Sequence, residues 1–121
     1  MDVLVDTTVW VDHFRRGNSR LIRLIENDSA LSHPMVLVEL ACGTPPKRQS
    51  TLDDIALLRA ARETSLAELR DFIEREKLYG LGCGLVDIAL LASTLLTPDT
   101  RLWTLDKRLA GLAKRYQVAH A

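Results

Sequence analysis

The chain is poor in the residues that build thiolate or disulfide frameworks. Its 121 residues include two cysteines, Cys42 and Cys83, too few and too far apart for a zinc pattern or a disulfide scaffold. Both have apolar or glycine neighbours, which predicts small buried hydrophobes. The histidines His13, His33 and His120 lack ligand spacing and are assigned no chemistry. Long apolar runs are missing as well: charge interrupts each one well before the roughly 18 residues that a transmembrane helix requires. The opening MDVLVD has no basic segment and no small-residue cleavage site, so no signal peptide is expected, and the cytoplasm is the expected compartment. There is no excess of charge either. Lys and Arg number 16 and Asp and Glu 16, a balance that gives no bulk footprint for a nucleic acid. Repeats, low-complexity tracts and linkers are absent. What remains, 47% hydrophobic and 26% charged residues, suits a single globular domain over residues 1–121.

The elements alternate. Val3 to Val5 form a β-branched and leucine run of the buried, parallel type that stops at Asp6. Thr7 or Thr8 can cap a helix ending near Gly17, and Ser19 opens a second. Ala30 to Ser32 read as a brief strand. Pro34 suits the first turn of a helix that Gly43 stops, and PPKRQ is an exposed loop. Two helices follow, one around Leu52 to Ala61 and one that Ser65 and Glu68 start as a capping box. GLGCG separates the latter from an apolar helix, Leu85 to Leu96. Leu102 to Thr104 form a strand and Lys107 to Tyr116 a helix, with Val118 to His120 as an edge strand. This order predicts an α/β fold with a mostly parallel central sheet, whose ligands bind beyond the carboxyl ends of the strands.

Four acids stand in apolar surroundings: Asp6 in VLVD, Glu39 in MVLVEL, Asp87 in LVDIALLAS and Asp106 in RLWTLD. A carboxylate at the edge of a core costs several kcal/mol, as an order of magnitude, unless it is compensated. At an effective dielectric of about 20, two carboxylates about 4 Å apart repel by about 4 kcal/mol. Four in one pocket either raise one another's pKa values or recruit a divalent cation. All-oxygen ligands select Mg2+ or Mn2+, which suits phosphodiester hydrolysis. Each acid has a plainer reading: Asp6 and Asp106 as helix caps, Glu39 on an exposed stripe, and Asp87 as a first-turn acid favoured by the helix dipole. Thr8 and Thr104, each two residues from an acid, can orient a carboxylate or serve as simple caps. Asp12, Asp53 and Asp54 are expected on exposed faces. GLGCG lacks the ending of a P-loop, and its glycines are expected to let the Asp87 helix approach the site. With the quartet masked by metal, 12 acidic groups face 16 basic ones, and Arg15, Arg16, Arg20 and Arg23 cluster, as do Lys107, Arg108, Lys114 and Arg115. Such clusters can meet a phosphate backbone or can be solvated helix faces.

DTTVWVDHF at 6–14, VLVELACG at 36–43, GLVDIALLAS at 84–93 and LWTLDKRL at 102–109 resemble, in order and spacing, the PIN-domain toxins of the VapC family. The resemblance implies an α/β/α sandwich and a Mg2+- or Mn2+-dependent endoribonuclease acting on structured RNA of the tRNA or rRNA class. It puts Asp6, Glu39, Asp87 and Asp106 on the family's acidic quartet, and Thr8 and Thr104 on supporting positions. It further implies a homodimer silenced by a cognate VapB-like antitoxin. Two alternatives share some of these features. A phosphoacceptor receiver domain has the same length and alternation, although it needs adjacent acids after the first strand, where Asp6 stands alone. A non-catalytic PIN-like interaction module would be marked by a broken quartet.

Overall fold

Val3, Leu4 and Val5 are almost fully inaccessible, as the middle strand of a sheet covered on both faces requires. In the computed structural model, which describes residues 1–121, that strand is β1 (Asp2–Val5). The order continues with α1 (Thr7–Arg16), α2 (Ser19–Glu26), β2 (Ala30–Leu31), α3 (Pro34–Ala41), α4 (Arg48–Ala56), α5 (Leu66–Glu76), α6 (Leu85–Leu96), β3 (Thr100–Trp103) and α7 (Lys107–Arg115). The sheet order is β2-β1-β3, with both pairings parallel. Helices pack around it as an α/β/α sandwich over one core of 24 buried residues. No helix is long and apolar enough to cross a membrane.

Local signals account for several boundaries. Gly17 ends α1 at φ 71°, Asn18 caps α2, and Ser65 with Glu68 forms the expected capping box on α5. Elsewhere tertiary contacts decide. The helix expected around Leu52 to Ala61 instead begins at Arg48, whose side chain holds the carbonyls of Ala41 (2.6 Å) and Gly43 (3.1 Å) at the end of α3. It stops early because Arg59 to Ala61 turn to pair with Ser32: the Ser32 N–H donates to Arg59 O (2.9 Å) and the Ala61 N–H to Ser32 O (3.0 Å). The expected edge strand, Val118 to His120, is a single bridge to Leu102, so the sheet has three strands. Two smaller expectations fail. Cys42 is exposed and Cys83 partly so, and Asp12 is half-buried and held by Arg16 (2.6 Å) and Asn18 (3.2 Å).

The two helices that carry Glu39 and Asp87 are tied by one buried hydrogen bond. His33 caps α3: its Nδ1 accepts the Met35 N–H (3.0 Å), which leaves the ring proton on Nε2 to donate to Ser93 Oγ on α6 (2.9 Å). Burial lowers the His33 pKa below its ordinary 6.5, partly opposed by Glu63. His120 is lowered also, by burial and by Arg20. The unfolded chain therefore takes up these protons first as pH falls through about 6.5, and the folded state loses stability. Urea midpoints are expected to drop between pH 7 and pH 5.5, and His33→Asn, which keeps a cap acceptor, should flatten that dependence. Leu91→Ala, at a fully buried position in α6, should cost about 2–5 kcal/mol by the same assay.

Candidate active site

Strand β1 delivers Asp6 to the carboxyl edge of the sheet beside β3, at the point where the chain's connections diverge to either side. The Asp6 N–H still bonds to Trp103 O (2.9 Å), and the Asp6 carbonyl accepts the Val9 N–H (3.0 Å) as the backbone turns into α1. Its side chain makes no cap bond. The carboxylate is instead buried, at 4% exposure, and its Oδ2 accepts two hydroxyls, Thr8 Oγ1 at 2.8 Å and Thr104 Oγ1 at 2.7 Å. Each hydroxyl is itself oriented by a backbone donor: Leu105 N–H to Thr8 and Asp106 N–H to Thr104, both 3.0 Å. The network locks the β1–α1 turn to the β3–α7 turn.

The other three acids follow one pattern. Asp106 caps α7, with Oδ2 accepting the Leu109 N–H (2.9 Å). Asp87 sits in the first turn of α6 and reaches back from Oδ2 to the Gly84 N–H (3.3 Å). Glu39, on α3, accepts Thr7 Oγ1 at Oε1 (2.6 Å). In all four residues one carboxylate oxygen is held by the protein while the other accepts no protein hydrogen bond. None of the four pairs with Lys, Arg or His. Negative charge is thus positioned and left unneutralised.

That charge is shared between the elements. The Asp87 pKa is raised above its ordinary 3.8 first by burial, and further by the charges of Asp6, Asp106 and Glu39, against the lowering effect of the Gly84 N–H. The fold has therefore brought Asp87, on α6, within reach of the charges of the other three predicted acids, from β1, α3 and the start of α7. Their burial departs from the expectation of four acids in apolar surroundings. Only Asp6 is buried; Asp87 and Asp106 are half-buried, and Glu39 is exposed beside Val38 on the open side of α3. Nor do any three His, Cys, Asp or Glu side chains close into a ready ligand cage. A hard cation such as Mg2+ keeps several waters and takes only one or two carboxylates from the protein, so it does not require such a cage. The donor set fits such an ion and, lacking sulfur and imidazole, does not fit a structural zinc.

Two neighbours escaped sequence reasoning. Thr7 was considered only as a cap, yet it steadies Glu39; the visible signal was a second hydroxyl directly after Asp6. Cys83 was read as core but lies at the rim, where burial and the charges of Asp87 and Asp106 push its thiol pKa up.

A parallel α/β/α sandwich with an acid quartet beyond the carboxyl edge of its central strand defines a PIN-like domain. The particular family follows from relatedness. Ribonuclease VapC32 of Mycobacterium tuberculosis, from strains CDC 1551 / Oshkosh and H37Rv, is 40% identical over 119 residues, which cover 98% of this chain and 96% of the relative. The chain belongs to the VapC ribonuclease family. No protein-family model matches it.

Because burial and like charges oppose ionisation of Asp87 in the folded state, that carboxylate works against folding at neutral pH. Asp87→Asn, which keeps an acceptor for the Gly84 N–H, is expected to raise the thermal midpoint at pH 7 in a buffer with EDTA. An unchanged or lower midpoint would show that burial and the neighbouring charges do not make the Asp87 carboxylate destabilising.

Proposed function

We propose that this protein is the toxin of a type II toxin–antitoxin pair, a Mg2+-dependent endoribonuclease that hydrolyses phosphodiesters of structured RNA of the tRNA or rRNA class. The observation that carries this reading is the set of half-engaged carboxylates without a cation partner. Charged groups left so near a core cost stability, and a divalent ion is the partner that turns that cost into chemistry. Membership of the VapC ribonuclease family supports RNA phosphodiesters as the bonds cut.

Asp6 and Asp87 are the principal ligands, with Glu39 and Asp106 completing the set. When bound, Mg2+ (or Mn2+) would lower the pKa of water and polarise a phosphoryl oxygen. The protein's own work is positional. Thr8 and Thr104 hold Asp6 in one rotamer, Thr7 holds Glu39, and the Gly84 and Leu109 N–H groups hold Asp87 and Asp106. Each carboxylate so keeps its second oxygen available without a search over rotamers, the condition for efficient electrostatic stabilisation. A VapB-like antitoxin is the expected inhibitor, and a basic side chain placed among the four acids would silence them. Exposed apolar residues such as Val38 and Leu66 are available for that contact or for a homodimer. Family membership sets aside the receiver-domain alternative, and the unbroken quartet speaks against a purely non-catalytic module.

Asp6→Asn and Asp87→Asn should each abolish cleavage of RNA and growth arrest on induction while the circular dichroism spectrum stays that of the wild type. EDTA should stop the wild-type reaction, and added Mg2+ or Mn2+ should restore it. Undiminished cleavage in EDTA, or full activity in both variants, would overturn the proposal.

A further inference from the structure

An acid quartet repels the phosphates of the RNA it must cut, so a cation fixed at its rim would change how substrate docks. Arg108, on the first turn of α7, two residues after Asp106, is exposed and pairs with no carboxylate. Its guanidinium rests on the backbone of Gly82: a Cβ built there would lie 2.7 Å from Arg108 Nη1 and 2.9 Å from both Cδ and Cζ. Gly82 is the only one of the six glycines where a Cβ would strike a neighbour so closely. It also adopts φ +81°, in the region L side chains rarely enter. The seat therefore requires glycine twice over, for its backbone and for the arginine that lies on it. It engages little of the arginine's hydrogen-bonding capacity. The single contact, Nη1 to Gly82 O, is long at 3.5 Å, and the remaining N–H groups of the fork have no protein acceptor.

The seat places this charge between the turn that carries Asp106, two residues before it, and the loop that leads into Asp87, five residues after Gly82. Cys83, next to Gly82, feels Asp87 and Asp106 and also Arg108, whose charge acts on the thiol in the opposite sense. A guanidinium held beside these turns by packing rather than by an ion pair has its planar fork free for an oxyanion.

We propose that Arg108, seated on Gly82, binds an RNA backbone phosphate next to the one being cleaved and so sets the register of the strand across the acid quartet. This rests on the ribonuclease reading, and Arg108 acts there as a substrate-binding residue. The competing account is a strap, in which Arg108 merely ties the GLGCG loop to α7.

The two accounts separate in salt. Binding of the wild type and of variants to total tRNA would be measured across a KCl series, alongside steady-state cleavage with Mg2+. Loss of one phosphate contact flattens the dependence of log K on log salt by about 0.7–0.9. Arg108→Gln should show that flattening and a several-fold higher KM with kcat little changed, and Arg108→Lys should recover most of the slope. Gly82→Ala keeps the charge but displaces it, and should raise KM. Arg59→Gln removes a cation that pairs with Asp2 at the opposite, amino edge of the sheet and should leave the slope unaltered. An unchanged slope and KM in Arg108→Gln would overturn the proposal, as would a loss confined to kcat and thermal midpoint. An Arg59→Gln effect of equal size would overturn it too. The broader reading fails differently: wild-type protein with Mg2+ that binds tRNA but cleaves no RNA sinks the ribonuclease while the salt slope still tests Arg108. Wild-type protein that does not bind RNA at all overturns both.

Discussion

The structure depends on burying one unpaired carboxylate at the end of its central strand. Asp6 has almost no exposure and no cationic partner, a placement that costs several kcal/mol as an order of magnitude unless hydrogen bonds offset it. Two threonine hydroxyls do so on a single oxygen. Their effect extends beyond Asp6, because Thr8 and Thr104 also take the N–H groups of Leu105 and Asp106. The same bonds that satisfy the buried charge thus set the path of the β3–α7 turn and aim Asp106. The network rigidifies one oxygen of Asp6 and the turn beside it, and leaves the other oxygen without a protein partner.

The remaining acids are held more loosely, and their helices explain why. Helices α3 and α6 are apolar almost all round, but they use that character differently. From Ile88 to Thr94 every residue of α6 is buried, so Asp87 rides on a helix clamped within the core. In α3 only Val36 and Leu40 are buried, so Glu39 stands on an open face and relies on Thr7 for its orientation. The His33–Ser93 bond joins the two helices inside the protein and ties the helix of an anchored acid to that of a freer one.

Much of this was legible in the sequence because local chemistry and tertiary structure agree. A buried-strand pattern that stops at an acid, a capping box before an apolar stripe and a glycine after a last turn each specify their own geometry. The places of Asp6, Asp87 and Asp106 were legible for that reason, since each follows or opens an element whose boundary is locally encoded. Glu39 was located but its surroundings were misjudged: apolar neighbours at positions 35 to 38 suggested a core, whereas Val38 beside it is 64% exposed. An apolar residue reports a capacity for burial, and what covers it is decided elsewhere. The limits of α4 were illegible for a related reason. Its start depends on carbonyls of α3 and its end on pairing with Ser32, neither of which leaves a periodic trace. Cys83 and Thr7 were visible as residues, but their roles follow only from which turns the fold brings side by side.

The Thr104–Asp6 hydrogen bond spans 98 positions of sequence, and β3 must lie against β1 before it can form. Synthesis from the N-terminus therefore makes Asp6, Glu39 and Asp87 before β3 and the turn after it. Until β3 and the turn after it emerge, the buried carboxylate has lost one of its two hydroxyl partners and the site has no fourth acid. The grouping of the four acids is thus completed only by the last strand of the sheet and the turn that follows it.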